Sequence, residues 1–323
     1  MVGAYTVIVE NKYLKYEFVI RRNITIVRGN SATGKTTLIE MIREFNQDEK
    51  SGVNISCEKQ CVVLEGRNWL EDLRRMDDSI VFIDENSRFT NSYDFASAIK
   101  GTNNYYVIVT REKLSNLPYS IEEIYGIREN GRYARLTSEY TENRFYQLYG
   151  NRPNLDFGPE EIITEDEGSG NDFWKELVGN TMIKCLAAGG KDRVIKVLRD
   201  ASRSKRKLVV VDGAAFGAEM EEVMTYINLI DANTKLFAPE SFEYLLLNSD
   251  LFPGKEIGEI LENTQDYADS REYMSWEQFY TKLIVDLTEG TKMQYTKSKL
   301  NDYYLSERNM EIVKRELPKQ VNV

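Results

Sequence analysis

Eight consecutive residues, Gly29-Asn30-Ser31-Ala32-Thr33-Gly34-Lys35-Thr36, satisfy the pattern G-x-x-x-x-G-K-[ST]. Each residue type has a task in holding a polyphosphate. The glycines let the backbone curl until successive N–H groups face one centre. Lys35 brings a point charge for the β- and γ-phosphates, and Thr36, followed by Thr37, offers a hydroxyl to Mg²⁺. The preceding NITIVR has the apolar run of a buried strand, and the following LIEMIREF has helical spacing. The loop therefore opens a helix, where unpaired amides and the helix dipole favour an anion. The pattern points to ATP or GTP, with Mg²⁺, as ligands.

A second apolar strand, IVFIDE at 80–85, ends in two acids. This is the Walker B arrangement: Asp84 is placed to hold Mg²⁺ and Glu85 to orient or deprotonate an attacking water. Thr110 and Arg111 end a further strand, NYYVIVTRE, and are candidates for sensing the γ-phosphate.

The C-terminal half repeats the theme without the loop. Glu165 ends a short strand and is followed by Asp166 and Glu167; Asp172 opens the next helix; Asp212 ends KLVVVD. Ligands bind at the carboxyl ends of strands in a parallel sheet, so Glu165 and Asp212 are expected to face each other there from neighbouring strands. Facing carboxylates repel unless a divalent cation sits between them. Between these acids lie Lys191, Arg193, Lys196, Arg199, Arg203, Lys205, Arg206 and Lys207, offset by Asp192 and Asp200. This stretch is the candidate nucleic-acid face, since such binding depends on local positive charge.

The elements that must position these residues alternate regularly. Strands are expected at 4–10, 15–20, 23–28, 61–66, 79–86 and 104–112, with helices after the loop and at 67–76 and 92–100. Residues 122–137 read as a hairpin turning at Asn130-Gly131. The polar stretch GNRPNLDFGPE suggests a boundary, giving a first domain at 1–140, a linker at 141–159 and a second domain at 160–323. In the latter, strands at 161–165, 182–190, 206–213 and 234–238 alternate with helices at 172–179, 191–201 and 218–230, and 239–316 is mainly helical. The fold class is α/β: a P-loop domain with a parallel-sheet core, then a second α/β domain with a helical C-terminal part.

Composition narrows the chemistry. The 323 residues include no histidine, which excludes histidine bases and histidine–metal clusters. Cys57, Cys61 and Cys185 are too few for a disulfide scaffold, and no second cysteine pair completes a zinc site. Any metal chemistry must use carboxylates. The net charge of −10 gives no general pull toward nucleic acid. The N-terminus alternates and carries charge, unlike a signal peptide, and no apolar run approaches a membrane span. A cytoplasmic protein, without membrane contact, is expected. Partners implied are a nucleotide, nucleic acid through 191–207, and a partner protein or second copy.

The opening, paired strands then ITIVRGNSATGKTTLIEMI, resembles the ABC-type and SMC-like ATPases over about 45 residues plus 80–85. Lys35 and Asp84 stand 49 positions apart, too close for that family's usual helical insertion, and no LSGG-like signature is present. The run IITEDEGSGNDFWKEL, CLAAGGKDRVIKVL, LVVVDGAAFGAEM resembles the Toprim fold. That resemblance implies metal-dependent chemistry on nucleic-acid phosphodiesters, with Glu165 (or Glu167) as acid/base and Asp212 as first metal-binding Asp. The second Asp of the family's D-x-D falls on Ala214, leaving Glu219, Glu222 or Asp172 to substitute. The pairing of both parts resembles the overcoming-lysogenization-defect family of phage-defence nucleases. It implies an ATP-controlled nuclease or nuclease-like effector. The alternative is a nucleotide switch or scaffold with a degenerate second domain.

Overall fold

The computed structural model describes residues 1–29, 34–48, 50–130, 141–149 and 157–318. The chain divides into two compact units: Met1–Gly150 with Thr264–Ser275, and Asn151–Asn263 with Trp276–Val323.

The first unit is built on a nine-stranded mixed sheet. Its strands are β1 (Tyr5–Glu10), β2 (Leu14–Ile20), β3 (Ile24–Val27), β4 (Asn54–Ser56), β5 (Gln60–Val63), β6 (Ser79–Ile83), β7 (Tyr105–Val109), β8 (Ile124–Asn130) and β9 (Thr141–Gln147), in the order β4-β1-β2-β9-β8-β3-β7-β6-β5. The run β8-β3-β7-β6-β5 is parallel throughout. Strands β3, β6 and β7 are buried at every residue, as central parallel strands must be when both faces are covered. Strands β1 and β2 pair antiparallel and bury alternate residues, leaving one face more open. Helix α1 (Lys35–Gln47) buries Leu38, Ile39, Met41 and Ile42, the stripe its 3.6-residue period predicts. These join Val27, Phe82 and Val107 in one core. Two short helices, α2 (Trp69–Leu73) and α3 (Tyr93–Ala98), lie in the connections around β6.

Two boundaries differ from the sequence reading. The expected hairpin turn at Asn130-Gly131 is displaced: Asn130 pairs with Glu142, so the strand returning beside β8 is β9. Residues 131–140 lie outside the described residues. The stretch expected as linker at 141–159 therefore begins with a sheet strand. Local turn propensity was outweighed by the aromatic contacts of β9, where Phe145 stacks on Phe18 at 4.1 Å between ring centroids. The second difference is Thr264–Ser275, which belongs to the first unit although it lies far along the chain. The N-terminal ammonium donates to Asp269 Oδ1 at 2.7 Å and Ser270 Oγ at 2.8 Å. Asn23 Nδ2 donates to the carbonyls of Ser270 and Tyr273 at 3.1 and 2.9 Å.

The second unit has a four-stranded, wholly parallel sheet. Its strands are β10 (Glu161–Thr164), β11 (Lys184–Ala187), β12 (Lys207–Val210) and β13 (Thr234–Phe237), in the order β11-β10-β12-β13. Helices α4 (Ser169–Leu177), α5 (Val194–Asp200) and α6 (Gly217–Leu229) make the crossovers. Helices α7 (Phe242–Asn248), α8 (Lys255–Glu262), α9 (Trp276–Thr288), α10 (Asp302–Leu305) and α11 (Glu307–Lys314) follow, as the expected helical remainder. Among the described residues, no helix is long and apolar enough to cross a membrane.

Candidate functional sites

In the first unit, β3, β7 and β6 are adjacent and parallel, so their carboxyl ends share one edge. Gly29 lies just past β3, Thr110 ends the run of β7, and Asp84 follows β6. Gly29 and Gly34 have φ of 138° and 82°, a region that L side chains rarely adopt. Gly34 is also the N-cap of α1, and no side chain caps the helix there. The first N–H groups of an α-helix have no acceptor within the helix itself, which suits this end to an anion. A Cβ on Gly34 would stand 2.7 Å from Tyr16 Oη, whose hydroxyl donates to the Gly34 carbonyl at 2.9 Å.

Lys35 is 4% exposed, and its ammonium donates to the Gly29 carbonyl at 2.9 Å, closing the two ends of the loop. Burial lowers its proton affinity, Glu85 opposes that, and Arg111 adds to it. Lys35, Glu85 and Arg111 therefore share one electrostatic environment. Arg111 Nε pairs with Glu85 Oε2 at 3.2 Å. Asp84 accepts from the Glu85 N–H at 2.8 Å and from Asn86 Nδ2 at 3.4 Å. Thr110 is buried and accepts from the Glu112 N–H, while Thr36 is exposed and Thr37 half-buried. Asn30, Ser31, Ala32 and Thr33 lie outside the described residues.

In the second unit, Thr164 and Val210 are register partners on adjacent strands, so Glu165 and Asp212 emerge side by side. They are linked directly: the Asp212 N–H donates to Glu165 Oε2 at 3.0 Å. Asp212 Oδ1 in turn accepts from the Phe242 N–H at 3.1 Å, which ties it to the start of α7. Both line a small cleft, with a cavity volume of about 20 Å³, together with Asp166, Ser169, Glu243 and Lys297. Gly168 admits the 297 loop: a Cβ there would stand 2.4 Å from the Lys297 carbonyl, which accepts from the Ser169 N–H at 2.9 Å.

The cleft is crowded with negative charge. Burial pushes Glu165 up to about 7, with Glu277 and Asp166 adding to the rise. Asp212 lies well above the ordinary carboxylate range, through burial and then Glu277, Glu243 and Glu165. Asp166 is raised by burial against the pull of Lys297. Burial would lower Lys297, yet Glu243, Glu277 and Asp212 together leave it raised. Its ammonium bonds Glu277 and lies 3.9 Å from Glu243 Oε1. Tyr295 donates to Glu243 Oε1 at 2.8 Å and also bonds Ser169.

The candidates named to replace the missing second Asp are engaged elsewhere. Glu222 pairs with Arg199 at 2.9 Å, Asp172 Oδ2 accepts from the Leu300 N–H at 3.0 Å, and neither these nor Glu219 line the cleft. Ala214 is 2% exposed. Glu167 is exposed. Among the described residues, no group of three or more His, Cys, Asp or Glu side chains stands in an arrangement to hold a metal ion.

The basic stretch is partly neutralised at home. Arg199 pairs with Glu222, Lys205 with Glu161 and Arg206 with Glu160. Lys207 is wholly buried against Asp231 at 3.0 Å, so it offers nothing to a ligand. Arg193, Lys196 and Arg203 are exposed, while Lys191 is half-buried and donates to the Ala215 carbonyl at 3.4 Å. The positive face is smaller than the sequence implied.

Sequence reasoning missed Glu243, Glu277 and Lys297. The one local signal was PESFEYLLL, where Ser241 caps α7 by accepting from the Tyr244 N–H and so fixes Glu243 in the first turn. Nothing local marked Glu277 or Lys297. Compared with known proteins, the chain matches no family model and no curated protein.

Proposed function

We propose that the first unit binds a nucleoside triphosphate with Mg²⁺, and that this controls a second unit acting on nucleic-acid phosphodiesters with a divalent cation. The observation that carries the first half is the Lys35 ammonium closing a glycine-ended loop at the uncapped start of α1. The residues suit the ligand by donor chemistry: Lys35 and the first amides of α1 for phosphate, Thr36 and Asp84 for Mg²⁺. Glu85 would orient water, and its pairing with Arg111 holds it there.

In the second unit, Glu165 and Asp212 would hold the cation, being the two acids that adjacent strand ends bring side by side. The ion, when bound, lowers the pKa of water and offsets phosphate charge. Glu165 itself exchanges its proton near neutrality, the range in which a general acid or base works best. Arg193, Lys196 and Arg203 supply exposed charge toward a phosphate backbone. Covalent continuity favours control. Asn23, at the foot of β3, holds Ser270 and Tyr273, and the chain runs on into α9, which carries Glu277. The pairing resembles the overcoming-lysogenization-defect nucleases, so the proposed setting is phage defence.

A thermal-shift titration with ATP, GTP and Mg²⁺ tests the first half. The parent Tm is expected to rise, and Lys35→Ala to lose the rise while keeping its fold. A Lys35→Ala variant that binds nucleotide as tightly as the parent overturns it. For the second half, plasmid DNA or tRNA is incubated with Mn²⁺ and nucleotide. Cutting that disappears in Asp212→Ala supports the reading.

Ala214 favours a second reading, in which the second unit is a degenerate relative that binds partners under nucleotide control. Clean inactivity of the parent protein on both substrates, with nucleotide binding intact, selects it.

A further inference from the structure

The first unit holds an open cavity beside the phosphate loop. Its volume is about 500 Å³, within the usual range for ligand pockets. Glu65, Arg67, Trp69, Asp84, Arg88 and Phe89 are among its lining residues. Asp84 is shared with the proposed Mg²⁺ site, but Gly34, Lys35 and Thr110 do not line the cavity.

Two connections build it. One follows β5 and runs into α2 at Trp69; the other follows β6 and turns through Arg88–Asn91. An aromatic pair joins them: Trp69 and Phe89 stack with ring centroids 4.8 Å apart and planes 12° apart. Phe95 is wholly buried and packs edge-on to Trp69 at 5.8 Å and tilted against Phe89 at 5.5 Å, which fixes the pair to the core. The pair itself stays half-buried. Rings fixed in place offer a base a preformed stacking surface.

The charges around the pair favour an anion. Glu65 accepts two bonds from Arg43, at 3.1 and 2.7 Å, so its charge is offset. Arg67 and Arg88 are exposed and have no ion-pair or hydrogen-bond partner among the described residues. A guanidinium presents a fork of donors that matches phosphate oxygens. Aromatic faces beside unpaired guanidiniums are the two components of a single-strand site, where bases stack and charge holds the backbone without any reading of base edges. Both cations lining the cavity are exposed, which fits a backbone running past them rather than an enclosed free phosphate.

We propose that this cavity seats one nucleotide of a single-stranded nucleic acid, its base on the Trp69–Phe89 pair and its backbone against Arg67 and Arg88. This goes beyond the proposed function: it puts a nucleic-acid contact on the first unit, and it does not depend on the chemistry of the second.

Binding of a fluorescently labelled oligodeoxyadenylate strand to the full chain tests it, read by anisotropy in EDTA so that no cation-dependent cutting intervenes. Trp174 and Trp276 are buried, so the emission of Trp69 should be the one quenched as unlabelled strand binds. Trp69→Leu is expected to abolish the quench and weaken binding at least about fivefold, the lower end of what one stacked base contributes. Arg67→Gln with Arg88→Gln should weaken it as much and flatten its logarithmic salt dependence by about 0.7 per arginine, whereas Arg308→Gln, in the second unit, should do neither. Should Trp69→Leu fail to fold, the two exposed arginines carry the test. Lys35→Ala should bind the strand as the parent does. Strand binding lost in Lys35→Ala assigns it to the phosphate loop. AMP that quenches Trp69 as tightly as the strand makes the cavity a mononucleotide site. Binding unmoved in the folded Trp69 and arginine variants puts the strand elsewhere. Each of these overturns the proposal, as does a parent that binds no strand; none touches the rise in Tm with ATP, which judges the phosphate loop separately.

Discussion

The phosphate loop of the first unit and the acidic cleft of the second both concentrate charge at the carboxyl ends of parallel strands, but they are made of different materials. The loop is contiguous in sequence and rests on backbone: two glycines with positive φ, a helix start without a side-chain cap, one lysine folded back on a carbonyl. The cleft is assembled from side chains scattered between Glu165 and Lys297, and it rests on desolvation. A backbone-built site should be sensitive to added side-chain volume and indifferent to pH near neutrality. A carboxylate-built site should be the reverse, except where a backbone contact holds it together.

The strongest separation is expected in pH. Folded Glu165 holds its proton up to about 7, against 4.5 ordinarily. Between those values the folded chain binds more protons than the unfolded one, so the free energy of unfolding falls as pH rises. The stabilisation is complete below 4.5 and gone above about 7, amounting to at most roughly 3 to 4 kcal/mol at about 1.4 kcal/mol per pH unit. Asp212 shares the titration, so the two behave as a pair. Denaturant unfolding of the second unit from pH 4.5 to 7.5 should show this slope, and Glu165→Gln should flatten it. An unchanged slope in that variant breaks the contrast drawn between the two sites.

A smaller effect sharpens the exception. Gly168 has an ordinary φ of −85°, but a Cβ would meet the Lys297 carbonyl at 2.4 Å. The obstacle is backbone, which cannot swing aside. Gly168→Ala should cost about 2 kcal/mol of stability through overpacking. It should also loosen the loop that brings Lys297 to Glu277. Denaturation midpoints measure the first, and a weakened pH slope the second. A loss under about 0.5 kcal/mol would mean the 297 loop is not locked.

How far each site was legible follows from the same difference. The loop declares itself because glycine, lysine and threonine at fixed spacing need no distant partner, and the strand and helix around it have clear periods. Asp84, Glu165 and Asp212 were visible as acids ending apolar strands. Glu243, Glu277 and Lys297 were not, because their only relation is spatial and arises when α7 and α9 pack beside the sheet. Glu243 sits in a helical first turn, where an acid is ordinary on dipole grounds alone. The boundary errors have a similar source. Asn130-Gly131 is a good turn by local chemistry, yet the stacking of Phe145 on Phe18 sets the register. Nothing local could assign 264–275 to the first unit, since its anchors are the N-terminal ammonium and Asn23.

The smallest effect tests the backbone side of the comparison. Gly34→Ala places a Cβ on a residue with φ of 82°, which costs about 1 kcal/mol for a non-glycine residue. The new Cβ also meets Tyr16 Oη at 2.7 Å, but that atom is the tip of a side chain rather than backbone. The two costs separate in a double-mutant cycle. Tyr16→Phe removes the hydroxyl, so it should recover the steric part of the Gly34→Ala loss and leave the conformational part. Coupling of about 0.5 kcal/mol or more is expected between neighbours of this kind. Nucleotide affinity, read by thermal shift, should fall in Gly34→Ala with or without Tyr16→Phe, because the turn's hand and not its packing presents the amides of α1. Full recovery of binding in the double variant would show that packing against Tyr16, not backbone conformation, shapes the loop.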